Sequence, residues 1–62
     1  MLSEKEVRDY LITIEDAMRI ADARRNVCLR EHKFNEMDQY DREFWNLVGQ
    51  IKVIRHILEE DY

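Results

Sequence analysis

Cys28 and His32 are the residues whose types and spacing come closest to a chemical site. Four residues apart on a helix, they share one face, where a thiolate and an imidazole can bind one zinc ion. Two further ligands would have to come from the second helix or a second copy, and His56 is expected near the other end. A lone cysteine between helices is more often a small apolar residue. We therefore expect no metal site and no cofactor.

Side chains for catalysis are equally sparse. Ser3 is the only serine, and its position suits a helix cap more than a nucleophile. Neither histidine is preceded by the glutamate of a Glu-x-x-His di-iron motif, and Gly49, the only glycine, excludes a glycine-rich phosphate loop. A chain of two narrow helices also offers no pocket that would perturb the pKa of a surface carboxylate. We expect no enzymatic activity.

Two apolar stripes at helical spacing dominate the sequence. Each alternates steps of three and four residues, as does a helix face that packs on another helix. Continued past His32, the first stripe would reach Asn35 and Gln39, whereas the second begins at Met37, two residues out of phase. A shift of two fits neither a stutter nor a stammer and favours a turn. The first stripe comprises Val7, Leu11, Ile14, Met18, Ala21 and, more weakly, Arg25, Cys28 and His32; the second comprises Met37, Tyr40, Phe44, Leu47, Ile51, Ile54 and Leu58.

These stripes predict an all-α fold, a two-helix antiparallel hairpin that occupies residues 1–62 as a single domain. We place helix 1 at about 3–33, the turn at about 34–37 and helix 2 at about 37–60. Ser3 and Glu6 form a capping-box signal at the start of helix 1. Asn35 is the predicted turn residue, because asparagine tolerates the left-handed conformation, and Asp38 is a competing cap for helix 2.

The apolar surface is wider than one helix pair needs. With one cysteine the chain cannot form an internal disulfide, so association is the remaining way to stabilise so small a core. We expect an antiparallel homodimer that forms a four-helix bundle. The alternatives are a monomer whose flanking apolar residues are simply exposed, and a subunit of a hetero-complex. The flanking apolar residues are Tyr10, Ala17, Ile20, Val27, Trp45, Val48, Val53 and Ile57. The predicted core and dimer interface is Val7, Leu11, Ile14, Met18, Ala21, Cys28, Tyr40, Phe44, Leu47, Val48, Ile51, Ile54 and Leu58.

Packing small residues against large ones predicts that Cys28 lies opposite Phe44 in the hairpin. Arg25 is a charged residue within the first stripe. A buried arginine needs a partner, for which Glu43 is the candidate, but we favour an arginine that extends to the edge of the helix interface.

The net charge of −4 is unevenly distributed, since residues 19–33 carry +3 and residues 34–43 carry −3. The basic segment makes Arg24, Arg30 and Lys33 candidate contacts for nucleic acid. In size and expected shape the chain resembles the small plasmid regulator Rop, an RNA-binding dimer of two helical hairpins, although the two share no motif. That resemblance implies an alternative function as an RNA- or DNA-binding regulator, which the overall negative charge disfavours.

The function that we favour from sequence is a protein-binding regulator or adaptor. Its candidate contacts are Trp45, Tyr62, Phe34 and Val53, since exposed aromatic residues often anchor interfaces, although Trp45 and Val53 are better explained as core of the dimer. No stretch approaches the roughly 18 to 20 apolar residues of a membrane span. The absence of a basic, apolar leader and the single thiol predict a cytoplasmic location.

Overall fold

The structure, a computed structural model, describes residues 2–62 and consists of two helices folded back on each other. Helix α1 covers Glu4–Arg30 and helix α2 covers Phe34–Asp61. The hairpin is a rod of 44 × 15 × 15 Å. The predicted all-helical fold of two packed helices is confirmed. Neither helix within residues 2–62 has the length and apolar character needed to cross a membrane.

Helix α1 begins at the predicted cap. The Ser3 hydroxyl accepts a hydrogen bond from the Glu6 backbone N–H at 3.2 Å, and it donates one to the Glu6 carboxylate at 3.3 Å. The first of these bonds occupies a backbone donor that has no partner within the helix. The Ser3–Glu6 signal therefore marks the start of the helix, as the sequence predicts.

The connection lies at residues 31–33, earlier than the predicted 34–37. His32 has a φ of 59°, in the left-handed region. The Lys33 N–H donates to the Cys28 carbonyl at 2.8 Å, and the His32 N–H donates to the Leu29 carbonyl at 3.2 Å. This pair of bonds is a Schellman motif, which satisfies the last carbonyls of α1 and ends the helix at Arg30.

The prediction of Asn35 as the turn residue is therefore wrong, because Asn35 already lies in the first turn of α2. Asp38 is not the cap either. Lys33 holds the cap position and makes no side-chain capping bond. The backbone bonds at His32 close the turn before Asn35 is reached.

One residue in every seven of α1 is buried in the contact between the helices, which we call the seam. Among the described residues, the buried apolar side chains are Val7, Ile14, Ala21, Cys28, Leu47, Ile51 and Ile54. Leu11, Met18, Phe44 and Leu58 pack partly buried against them, and Tyr40 and Val48 are half-buried. The residues predicted for the core are thus all buried or half-buried in the hairpin. None of the described side chains falls below 2% exposure, so this core is thin.

The register of the two helices differs from the predicted one. Cys28 Sγ lies 4.0 Å from a Glu36 carboxylate oxygen, and the Phe44 ring lies instead beneath the guanidinium of Arg25. At the opposite end the Tyr62 hydroxyl donates a hydrogen bond to the Leu2 carbonyl. The predicted pairing of Cys28 with Phe44 is wrong because the turn comes early, so each residue of α1 meets an earlier residue of α2.

Candidate interaction surface

The two helices leave two long faces, one on each side of the seam, and one of them is covered by charged side chains. Arg25 donates to Asp41 across the helices at 2.8 Å, and Arg55 approaches Glu15 at 3.7 Å. We call this side the ion-pair face. Both contacts join α1 to α2, so on this side the polar side chains of one hairpin satisfy each other.

Arg25 is the centre of the ion-pair face. Its side chain is 23% exposed, forms ion pairs with Asp22 and Asp41, and lies with its guanidinium carbon 4.3 Å from the centroid of the Phe44 ring. The hydrogen bond that Arg25 donates to Asp41 raises the pKa of Arg25, although burial opposes the shift. The predicted partner, Glu43, is wrong: the carboxylates that compensate this charge are those of Asp41 and Asp22. Arg25 therefore shields the edge of the seam and holds the helices in register.

The opposite side carries exposed apolar side chains, and we call it the apolar face. A central groove is lined by Tyr10, Gly49, Val53 and Ile54, among others. Tyr10 also lines a second groove towards the open end with Ile57, so the two grooves are continuous. The residues that define this face are Tyr10, Ala17, Ile20 and Val27 of α1 and Asn46, Gly49, Gln50, Val53 and Ile57 of α2.

A third groove continues this side towards the turn, where Val27 and Tyr40 line it. Its lining also includes the charged residues Arg24, Glu31, Lys33 and Glu36. Ile20 precedes Val27 by seven residues and Ala17 follows Tyr10 by seven, so helical geometry places them on the same side. Tyr10, Ile20 and Val53 are all more than half exposed. The apolar surface therefore runs from the open end through the middle of the hairpin, and charged side chains join it near the turn.

The central groove of the apolar face has no charged residue in its lining, within the chain from Leu2 to Tyr62. Its polar members are Asn46 and Gln50, whose side-chain amides bond to each other at 2.9 Å. A continuous apolar strip with few polar groups is a typical interaction surface. The ion pair between Arg25 and Asp41 closes the other edge of the seam. Within the described residues, no ion pair joins the two helices across this groove.

The structure separates the residues that the sequence grouped as flanking. Val53 lies on the apolar face, whereas Trp45 contacts Phe44 edge to face, with ring centroids 5.2 Å apart, towards the ion-pair face. Phe34 lies at the turn, 5.8 Å from the His32 ring, and Tyr62 lies at the open end. The four aromatic and apolar candidates for partner contact therefore do not form one patch. Trp45 and Val53 lie on opposite sides because Trp45 follows a stripe residue, Phe44, whereas Val53 precedes one, Ile54.

The structure brings together only two of the three candidate nucleic-acid contacts. Arg24 lies over the Tyr40 ring at 5.8 Å, on the apolar face. Lys33 pairs with Glu31 at 3.0 Å, and this contact raises the pKa of Lys33. Arg30 follows Arg24 by six residues, which turns it about 240° around the helix. Arg24 and Lys33 thus line one groove at the turn, together with Glu31 and Glu36, whereas Arg30 does not line that groove.

Cys28 and His32 end up in different local structures. Cys28 is a buried free thiol in α1, whereas His32 occupies the left-handed turn position. Over residues 2–62, no three His, Cys, Asp or Glu side chains are grouped as metal ligands would be.

No protein-family model, no curated protein and no solved structure matches this chain. The basis for a function is therefore the geometry of the hairpin and its two faces.

Proposed function

We propose that this chain is a non-enzymatic helical interaction module, half of a four-helix bundle, that acts as a small protein-binding regulator or adaptor. In this proposal helices of a partner cover the apolar face. Their contact adds to the thin core of the hairpin, and regulation follows from whether the partner is present. A reducing, cytoplasmic setting is part of the proposal, because Cys28 is a buried free thiol.

The observation that carries the proposal is the exposure of the apolar face, on the side of the seam that has no ion pair between the helices in the described residues. Tyr10, Ile20, Val27, Val53 and Ile57 are exposed on one side of a 15 Å wide rod. Exposed apolar residues are common singly, but a strip along a whole face marks an interaction site. Four-helix bundles are built by covering such a strip with a second helix pair.

The mass in solution, measured together with the thermal unfolding of the purified chain, tests this proposal. Sedimentation equilibrium should give an assembly, and the midpoint of unfolding followed by circular dichroism should rise with protein concentration. If the required partner is another protein, the chain alone should instead be monomeric and only partly helical. A monomer that unfolds cooperatively at a concentration-independent temperature would contradict the module, since the hairpin would then need no partner.

A second candidate function, nucleic-acid binding, is favoured by one observation. Arg24 and Arg30 take part in no ion pair within residues 2–62, so both guanidinium groups are available to phosphates. Glu31 and Glu36 line the same groove as Arg24, which weakens the positive potential there. A shift assay with duplex RNA and duplex DNA at two salt concentrations tests this function. Binding that weakens with salt supports it, and no binding at low salt removes it.

A further inference from the structure

We infer that the occupant of the apolar face is a second copy of this chain, packed antiparallel so that the two turns lie at opposite ends. This inference rests on the proposed function and specifies its partner. A two-fold axis that lies in the interface and perpendicular to the helices places α1 of one copy against α1 of the other. The same axis places α2 against α2, and each contact is antiparallel.

Helix α1 carries a stripe on this face that fits such an axis. The stripe is Tyr10, Thr13, Ala17, Ile20, Arg24 and Val27, and its steps of three and four are those of a helix that packs against another. In an antiparallel pair centred between Met18 and Arg19, Tyr10 of one copy lies level with Val27 of the other. Ala17 lies level with Ile20, so a small side chain meets a larger one near the axis.

Helix α2 carries the matching stripe, Glu43, Asn46, Gln50, Val53 and Ile57. Asn46 lies closest to the level of Met18 and Arg19, because Arg24 lies over Tyr40 and Arg25 pairs with Asp41. Its side chain already bonds to Gln50. Near the axis, the amides of both copies come within reach of each other across the face. Polar residues at a few positions of a helix interface set its register.

The size of the face matches the needs of a dimer. A surface 44 Å long and 15 Å wide covers on the order of 650 Å² per copy, close to the roughly 800 Å² per partner of a stable interface. A face of this length would be covered end to end by a rod of equal length, which a second copy is.

Charge decides between the two possible orientations. Glu4 and Glu6 lie at the open end, where Glu59, Glu60 and Asp61 also lie. A parallel pair would bring two such acidic ends together, which is unfavourable. The antiparallel pair separates them and places each beside the turn end of the other copy, where the cations Arg24 and Lys33 lie among the acids Glu31 and Glu36.

Disulfide formation between single-cysteine variants tests both the face and the orientation. In a Cys28→Ala background, Tyr10→Cys chains mixed with Val27→Cys chains should oxidise to a cross-linked heterodimer. Tyr10→Cys alone should not, because residues 10 and 27 are about 25 Å apart along the helix and a disulfide spans less than about 7 Å between Cα atoms. A mixture of Tyr10→Cys and Ile57→Cys reports the parallel pair, and Ile12→Cys, on the outer side of α1, is the unlinked control.

The outcomes separate this inference from the proposed function. A Tyr10–Val27 link without a Tyr10–Ile57 link supports the antiparallel pair, and the reverse pattern overturns it. A dimer by sedimentation with neither link overturns the inference and leaves the interaction module standing. A partly folded monomer also overturns the inference but leaves the interaction module standing, with a different protein as its partner. A cooperatively folded monomer overturns both the inference and the proposed function. If Cys28→Ala does not fold, the variant Ile20→Glu, which keeps Cys28, provides an independent test. A monomeric Ile20→Glu supports the inference, and a dimer of wild-type affinity overturns it.

Discussion

The ion-pair face and the apolar face lie on either side of the same seam. Ion pairs join the two helices on the first, whereas an apolar groove is left uncovered on the second. On the first, Arg25 stacks on Phe44 and pairs with Asp41, so two helices of one chain complete each other. On the second, Tyr10 and Val53 line an uncharged groove that the same chain does not cover.

This contrast indicates a division of labour. An ion pair between the helices of one chain fixes their register without the help of any other molecule. An apolar groove stabilises nothing until it is covered. The ion-pair face therefore specifies the hairpin, and we propose that the apolar face specifies what the hairpin joins.

The largest expected effect comes from the seam beneath both faces. Ile51→Asp places an unpaired carboxylate at a position that is 6% exposed. We expect the free energy of unfolding to fall by at least about 3 kcal/mol, which leaves the chain unfolded at room temperature. Far-ultraviolet circular dichroism measures the loss of helix. A wild-type melting curve for this variant would contradict the buried seam.

The second effect tests the apolar face alone, through a matched pair of isoleucines. Ile20 and Ile12 are 52% and 57% exposed on the same helix, but Ile12 is rotated about 80° farther from the proposed contact. Ile20→Glu should weaken self-association by about 100-fold, because each copy loses roughly 1.5 kcal/mol of apolar burial or more.

Ile12→Glu should leave the dissociation constant unchanged when both variants are measured by sedimentation equilibrium. Equal effects of the two substitutions would show that this face is not the contact.

The third effect belongs to the ion-pair face. Arg25→Ala removes the stack on Phe44 and the bonds to Asp41 and Asp22 together. We expect the melting temperature to fall by a few degrees, less than for the seam variant, with no change in the mass in solution. Arg25→Lys is the control, since lysine keeps the charge but lacks the planar guanidinium group. Its melting temperature should lie between those of the wild type and Arg25→Ala. A change in oligomeric mass would break the proposed separation of the two faces.

The smallest effect is expected at Gly49. Nothing lies within 4 Å of a methyl group added there, so Gly49→Ala in the middle of α2 should raise the free energy of unfolding by about 0.5 to 1 kcal/mol. Thermal melts at matched concentration measure this gain. A loss of stability, accompanied by dissociation, would indicate that a second backbone approaches the groove closely at this point.

The stripes predicted the seam well because burial on a helix follows its period directly. Val7, Ile14 and Ala21, seven residues apart, are all buried as expected. The turn was predicted about three residues too late, because the Schellman motif is made of backbone bonds and its usual sequence sign is a glycine. Here His32 takes the left-handed position, which histidine adopts more readily than most residues.

The heptad positions of the flanking residues already separate the two sides of α2. Trp45 comes directly after Phe44, whereas Val53 comes directly before Ile54, so the two lie on opposite sides of the stripe. The sequence does not show which side carries ion pairs between the helices, because the pairing of Arg25 with Asp41 depends on the register. Long-range pairings of this kind depend on the turn, so an error of three residues there changes the predicted partner of every residue in α1.

The hydrogen bond from the Tyr62 hydroxyl to the Leu2 carbonyl holds both ends of the described chain together at one end of the rod. Because both described ends lie at one pole of a 44 Å rod, dyes attached at either end report the position of that pole. In the antiparallel pair the dyes of the two copies would lie about one rod length apart, and in the parallel pair they would lie side by side. A single energy-transfer distance thus distinguishes the two bundles without any change to the seam or the faces.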